Sequence, residues 1–339
     1  MPELIPTVEF DKPPLPTLWL DTSVAIKLAK INRGEALQEI EVQRGTRLKK
    51  LVFNLVRAGK LLCPETEQED EYVAERLDED VHAMFHSLSL GISMAPHQGI
   101  LDAHIFAGMN AYAIGSPTIN LPSSTYFSSD PIRRLARVRR QSFFVAPGPT
   151  RNPEWLQRRA DSKAAIHRAW EQRRQQYVAS RRSYKQQLEF EKKAEIKSIF
   201  ALLRKFAVSL SAGTPDVWDL MGAEGAFLYR NYWDKLGVKP PGWEGLNSFF
   251  TSPYFSELPM PYISCRLAAE LLTGNEAITS GDPKDVELLS VALPVAHFVV
   301  TDWRMELRVR KLHLDEKWRT EVYSMPTIDG LFRNLEKLM

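Results

Sequence analysis

Apolar and polar positions along the 339 residues place two strand-like runs near opposite ends of the chain, each stopping at an aspartate. Near the start, Leu18-Trp19-Leu20 ends at Asp21, and Thr22 and Ser23 are placed to cap a helix over Val24–Ile31 that Asn32-Arg33-Gly34 breaks. Near the end, Asp285 opens a helical stripe of Val286, Leu289, Val291 and Ala292, and the run from His297 to Thr301 closes at Asp302. Runs of β-branched and aromatic residues that end in a carboxylate predict buried parallel strands, and open α/β sheets place their sites at the carboxyl ends of such strands.

Between these runs the pattern is mostly helical. Leu48, Leu51, Val52, Leu55 and Val56 predict a helix over Arg44–Val56, ended by Gly59. Lys60–Pro64 reads as a short strand. It leads into an acidic helix that starts with the capping-box spacing Thr66-x-x-Glu69 and continues past Val73, Leu77 and Val81. Met94–Ala113 reads as a helix, Gly115–Thr118 as a loop and Val145–Pro149 as a linker. Pro153 opens a long polar helix reaching to Leu210, whose thin apolar stripe suits half of a coiled hairpin or an arm held out from the body. Helices over Asp216–Leu236, Trp243–Phe250 and Pro261–Leu272 return the chain to the Asp285 stretch, and a strand over Lys317–Ser324 and a helix over Thr327–Leu338 close it.

Composition adds compartment and charge. The first residues carry neither a basic region nor an export-length apolar run, and the longest apolar run, Leu288–Val300, is too short to span a bilayer. Cys63 and Cys265 are the only cysteines, which supports neither a disulfide framework nor a zinc site, so a cytoplasmic protein is expected. The net charge of +2 conceals a block: residues 131 to 205 hold 20 Lys and Arg against 6 acids. Such separation points to a polyanionic partner. Within the block, Arg133, Arg134, Arg137, Arg173, Arg174, Arg181 and Arg182 are the candidate phosphate contacts. A solvated face, or contact with an acidic protein, is the competing reading. Trp155, Trp170 and Tyr177 lie among these arginines, where stacking on bases competes with ordinary packing. His97, Asp102 and His104 lack helical ligand spacing, and His82 and His86 lack a third ligand, so none of them is taken as a metal site.

The segments LWLDTS (residues 18–23 with Thr17 before them), DVELLSVALP and VVTDWRM resemble the PIN nuclease family, in which a first strand ends in an acid, a later helix opens with one and a T-D segment supplies another. The resemblance covers about residues 15–90 and 275–339. It implies an α/β fold: a PIN-like three-layer domain with a central parallel sheet of four or five strands. That domain is formed by residues 1–90 and 275–339 and interrupted by an all-helical basic insertion, 91–274, with its arm at 131–210. It also implies that Asp21, Glu69, Asp285 and Asp302 converge as catalytic carboxylates on Mg²⁺ or Mn²⁺, since hard divalent cations prefer oxygen ligands. Without the cation, carboxylates so close should push at least one above its usual titration range. The hydroxyls of Ser23 and Thr301 would orient these acids. Asp282 competes with Asp285, and Glu65, Glu67, Asp70 and Glu71 crowd Glu69.

The function this implies is a metal-dependent endonuclease acting on single-stranded RNA before DNA, with the basic arm holding nucleic acid, a nucleoprotein or a protein inhibitor, and no membrane partner. A non-catalytic PIN-like scaffold and a structure-specific DNA nuclease are the alternatives.

Overall fold

The structure, a computed structural model, describes residues 4–66, 68, 78–139, 153–211 and 227–339. In chain order these form strand β1 (Thr7–Phe10), β2 (Leu18–Leu20), helices α1 (Thr22–Asn32), α2 (Glu39–Ala58), α3 (Asp78–Ser89) and α4 (His97–Ala113), and strand β3 (Thr118–Leu121). Then come α5 (Pro131–Arg139), α6 (Pro153–Ser180), α7 (Tyr184–Ser211), α8 (Gly242–Phe250), α9 (Pro253–Ser256) and α10 (Pro259–Thr273). The last part carries α11 (Asp282–Val295), β4 (Phe298–Val300), α12 (Trp303–Lys311), α13 (Leu314–Trp318), β5 (Glu321–Tyr323) and α14 (Asp329–Glu336). The fold is mixed α/β, strongly helical, with small parallel sheets.

The chain forms two compact units. A sheet unit takes Asp11–Ile100, Pro122–Gln175 and Glu276–Met339; a helical unit takes Met1–Phe10, Leu101–Leu121 and Gln176–Asn275.

In the sheet unit, β2, β4 and β5 run parallel in that order, with Leu18 opposite Phe298 and Val300 opposite Tyr323. All three residues of β2 are buried, as expected of a parallel strand covered on both faces. Where four or five strands were expected, the sheet has three among the described residues, continued beside β2 by a single bridge from Thr17 to Leu62, with a further bridge from Glu65 to Ser93. The strand expected over Lys60–Pro64 shrinks to Leu62 because Pro64 has no N–H to donate to a ladder. The strand expected over Lys317–Ser324 is likewise only Glu321–Tyr323. Before it, α13 buries Leu314 and Trp318 one turn apart and is bounded by His313 and Arg319, both at φ 52°. Helices α1, α2 and α3 pack on one another and α14 packs on α2, where the Arg47 guanidinium lies 4.5 Å from the centre of the Phe332 ring. Helix α12 packs against α13 and β5. Gly59 ends α2 in the left-handed conformation at φ 73°, as its position suggested.

The helical unit is not all-helical. β1 and β3 pair in parallel from Thr7↔Thr118 to Phe10↔Leu121, where a loop was expected at Thr118. Thr118-Ile119-Asn120-Leu121 alternates polar and apolar, and it is Ile119 and Leu121 that are buried. The unit's core gathers Tyr229 and Trp233 from helical residues 227–235 with Phe249, Phe250 and Phe255.

The long helix expected from Pro153 to Leu210 is two helices. Arg181 turns left-handed at φ 48°, and Ser183 restarts the chain with a reciprocal cap, its N–H donating to Gln186 Oε1 at 2.9 Å while its hydroxyl accepts from Gln186 N at 3.4 Å. Nor is the second half an arm held out. Helix α7 packs along α10, and its Ile196, Ile199 and Phe200 rest on the aromatic core. Among the described residues no helix is long and apolar enough to cross a membrane. The acidic-helix start at residues 69–77, the linker at 145–149 and the first part of the helix expected over Asp216–Leu236 lie outside the described residues.

Candidate active site at the carboxyl ends of the sheet

The three strands of the sheet unit end level with one another, so the next residue of each meets its neighbours. Asp21 N donates to Val300 O at 2.8 Å and Thr301 N to Tyr323 O at 2.9 Å, which lines up Asp21, Thr301 and Ser324. This alignment lets the buried Thr301 hydroxyl donate to Asp21 Oδ2 at 2.9 Å. The Asp21 side chain also caps α1, its Oδ1 accepting from Ser23 N at 2.8 Å. One strand over, Asp302 caps α12, and its Oδ1 takes both Arg304 N at 2.7 Å and Met305 N at 3.2 Å. Two helices thus begin beside each other, each with an aspartate at its positive end.

The two acids differ in setting. Asp21 is 3% exposed, and burial pushes its carboxyl above the ordinary range. Hydrogen bonds from Ser23 and Thr301 oppose that rise, and the charge of Asp302 adds to it. The expected rise of one acid is therefore present, with desolvation rather than repulsion as its main cause. Asp302 is half-buried. Neither acid is ion-paired by a Lys or Arg among the described residues.

Asp285 lies in the first turn of α11, half-buried. Its competitor Asp282 is taken up structurally: it accepts from Thr279 N at 2.5 Å and lies 3.8 Å from the Arg308 guanidinium. Arg308 also pairs with Glu276 at 2.7 Å, pinning the start of α11 to α12, the helix that Asp302 caps. Glu69 lies outside the described residues, as do Glu67, Asp70 and Glu71. Gln68 is 1% exposed and donates from Nε2 to Leu20 O at 2.8 Å, which anchors it one residue before Asp21. Glu65 sits 3.4 Å from His86 Nδ1. Among the described residues no three Asp, Glu, His or Cys side chains group closely enough to hold a metal ion, so the structure brings together Asp21 and Asp302 but shows no larger carboxylate cluster.

The arginines proposed for phosphate are unequal. Arg133, Arg137 and Arg181 are exposed, Arg133 lying 3.4 Å from Asp130. Arg134 and Arg174 are half-buried. Arg173 lies over Trp170 at 4.8 Å, and Arg182 over Phe190 at 4.0 Å while donating to Gln187 Oε1 at 3.1 Å. Stacking on the protein's own rings uses part of what these side chains would offer a ligand.

Sequence reading missed a buried acid next to the site. Glu306, one turn after Asp302, is 3% exposed and accepts from Ser324 Oγ at 2.5 Å and from Thr327 Oγ1 at 2.9 Å, with Arg310 3.0 Å away. It fastens α12 to the turn after β5. The i, i+4 spacing to Asp302 was the available signal, and the two hydroxyls that claim Glu306 lie some twenty residues on. No family model, curated protein or solved structure matches this chain.

Proposed function

We propose that this chain is a metal-dependent endonuclease of the PIN-like kind, hydrolysing phosphodiester bonds in single-stranded RNA with Mg²⁺ or Mn²⁺. One observation carries the reading. Two aspartates 281 positions apart in sequence end adjacent parallel strands, and no Lys or Arg among the described residues neutralises them. Burying a carboxylate without a cation is unfavourable, so Asp21, the buried member of the pair, would be stabilised by one. The fold reading that accompanies it is a PIN-like three-layer domain, supported by the parallel order β2-β4-β5 and by the bridge that continues it beside β2.

The donor set suits a hard cation. Mg²⁺ is commonly held by one or two carboxylates and completes its shell with waters and substrate phosphate, so Asp21 and Asp302 suffice as anchors, with Asp285 and Glu69 as the further ligands of this proposal. Asp302 takes its two amide donors on Oδ1, and its Oδ2 has no protein donor among the described residues. Thr301 and Ser23 hold Asp21 in one orientation. A divalent ion held by these residues would supply charge to activate water for attack and to offset charge on the leaving oxygen. The exposed arginines of the 131–205 block would hold phosphates without reading sequence, and binding through them weakens with salt. A cytoplasmic setting belongs to the same proposal.

A second reading, a non-catalytic PIN-like scaffold, is favoured by the lack of a three-carboxylate group among the described residues. The test separates them. Labelled RNA and DNA are incubated with Mn²⁺, with and without chelator, for the native chain, Asp21→Asn and Asp302→Asn. Chelator-sensitive product from the native chain alone supports the enzyme; equal product from all three chains removes it.

A further inference from the structure

Helix α12 turns its inner residues, Met305, Glu306 and Val309, into the core of the sheet unit, but its outward face is unusual for a surface helix. Trp303 is 53% exposed and Leu307 is 51% exposed. They are one helical turn apart, so they are neighbours on that face. Two large apolar side chains side by side in solvent offer a contact surface. Four cations lie along the helix: Arg304, 4.0 Å from Glu276; Arg308, paired with Glu276 and Asp282; Arg310, paired with the buried Glu306; and Lys311. Trp303 is also the first residue after Asp302, and side chains in a helix lean toward its N-terminus. The exposed ring therefore belongs to the end of α12 that carries the candidate ligand.

We propose that Trp303 and Leu307 form a stacking ledge for an unpaired base of a single-stranded polynucleotide, with Arg304 and Lys311 meeting the flanking phosphates. The inference rests on the nuclease reading and names the surface that would hold its single-stranded substrate. An aromatic ring with interleaved cations is the combination that binds unpaired strands without sequence choice, since every base has a π-face and every nucleotide a charge. A base within a duplex is stacked on both sides and offers no face to Trp303. A protein partner would be served by the apolar pair alone, whereas the cations beside it match a polyanion. The ledge, rather than the basic block at 131–205, then sets which strand reaches Asp302.

Binding is measured by fluorescence anisotropy of a labelled single-stranded oligoribonucleotide and its duplex in chelator, so that no hydrolysis is required. The native chain is expected to prefer the single strand; Trp303→Ala should weaken single-strand binding about tenfold, and Trp303→Phe should keep it within about threefold. Arg304→Gln with Lys311→Gln should flatten the salt dependence by about two phosphates' worth. Circular dichroism and melting of each variant check folding. Unchanged single-strand affinity in folded Trp303→Ala overturns the ledge even if the chain cleaves RNA, as does a loss equal for single strand and duplex. A loss of self-association without a loss of RNA binding also overturns it. Conversely, a Trp303-dependent preference in a chain that never cleaves upholds the ledge and removes the enzyme.

Discussion

The two ends of the sheet unit's parallel sheet bury titratable groups in opposite ways. At the carboxyl ends, Asp21 is sealed from water with only neutral donors, Ser23 and Thr301, and another acid, Asp302, as its electrostatic neighbour. At the amino ends, Lys12 donates to Ala296 O and to Thr320 Oγ1, the latter at 2.8 Å, while Thr320 donates to Leu293 O at 2.6 Å. His297 Nδ1 there accepts from Thr17 N at 3.1 Å. Burial, with Arg319 adding to it, draws Lys12 down to about 7, and burial with the charge of Lys12 draws His297 down to about 4. The amino-end groups thus lean toward their neutral forms and satisfy backbone carbonyls and amides, whereas the carboxyl-end acids keep an unmet demand for positive charge. A closed polar network stabilises; the like charges at the other end carry the proposed site.

The contrast is broken most forcefully through activity. Asp302→Asn or Asp21→Asn should lower chelator-sensitive RNA hydrolysis by at least about a hundredfold, the upper cost of losing even a supporting group at a metal site, as read from initial rates in Mn²⁺. Next comes stability at the amino ends. Thr320→Val removes the one hydroxyl whose proton is shared between Leu293 O and Ala296 O and whose oxygen accepts from Lys12, and should destabilise by about 1–3 kcal/mol in urea titration. Asp21→Asn should do the reverse. A carboxyl whose folded pKa is raised contributes stability that is present below its unfolded pKa and is lost as pH rises through the folded value, so removing the charge raises the melting midpoint at neutral pH. Mn²⁺ should raise the midpoint of the native chain and not that of Asp21→Asn, by scanning calorimetry.

The smallest effect is the acid limb. His297 is about 6.5 unfolded and about 4 folded, so stability is expected to fall as pH drops through that window. His297→Asn should flatten the limb in a melting series from pH 7 to pH 4.

Much of the sheet was legible because strand ends and helix caps are local. Leu18-Trp19-Leu20 before Asp21-Thr22-Ser23, and Phe298-Val299-Val300 before Thr301-Asp302, each state a strand, a stop and a helix start within a few residues. What escaped depended on distant partners. β1 becomes a strand only because β3 lies beside it. Glu306 reads as a surface acid until Ser324 and Thr327 arrive to claim it. The break at Arg181 is different, since Ser183-x-x-Gln186 is itself a capping box inside a helical pattern and was readable. Composition pointed to the 131–205 block for nucleic acid, although its α7 portion is spent on packing against α10. The short cationic stripe of α12 is too brief to stand out in a charge count.

The register of β2 against β4 has a consequence for synthesis. Along that edge Leu18-Trp19-Leu20 has its partner nearly three hundred residues later, so a chain emerging from the ribosome carries Asp21 long before Asp302 exists. The entropy of closing so long a loop grows only logarithmically, but the delay in translation cannot be shortened. On the proposed reading, the two candidate ligands can meet only after the chain has been made through Asp302.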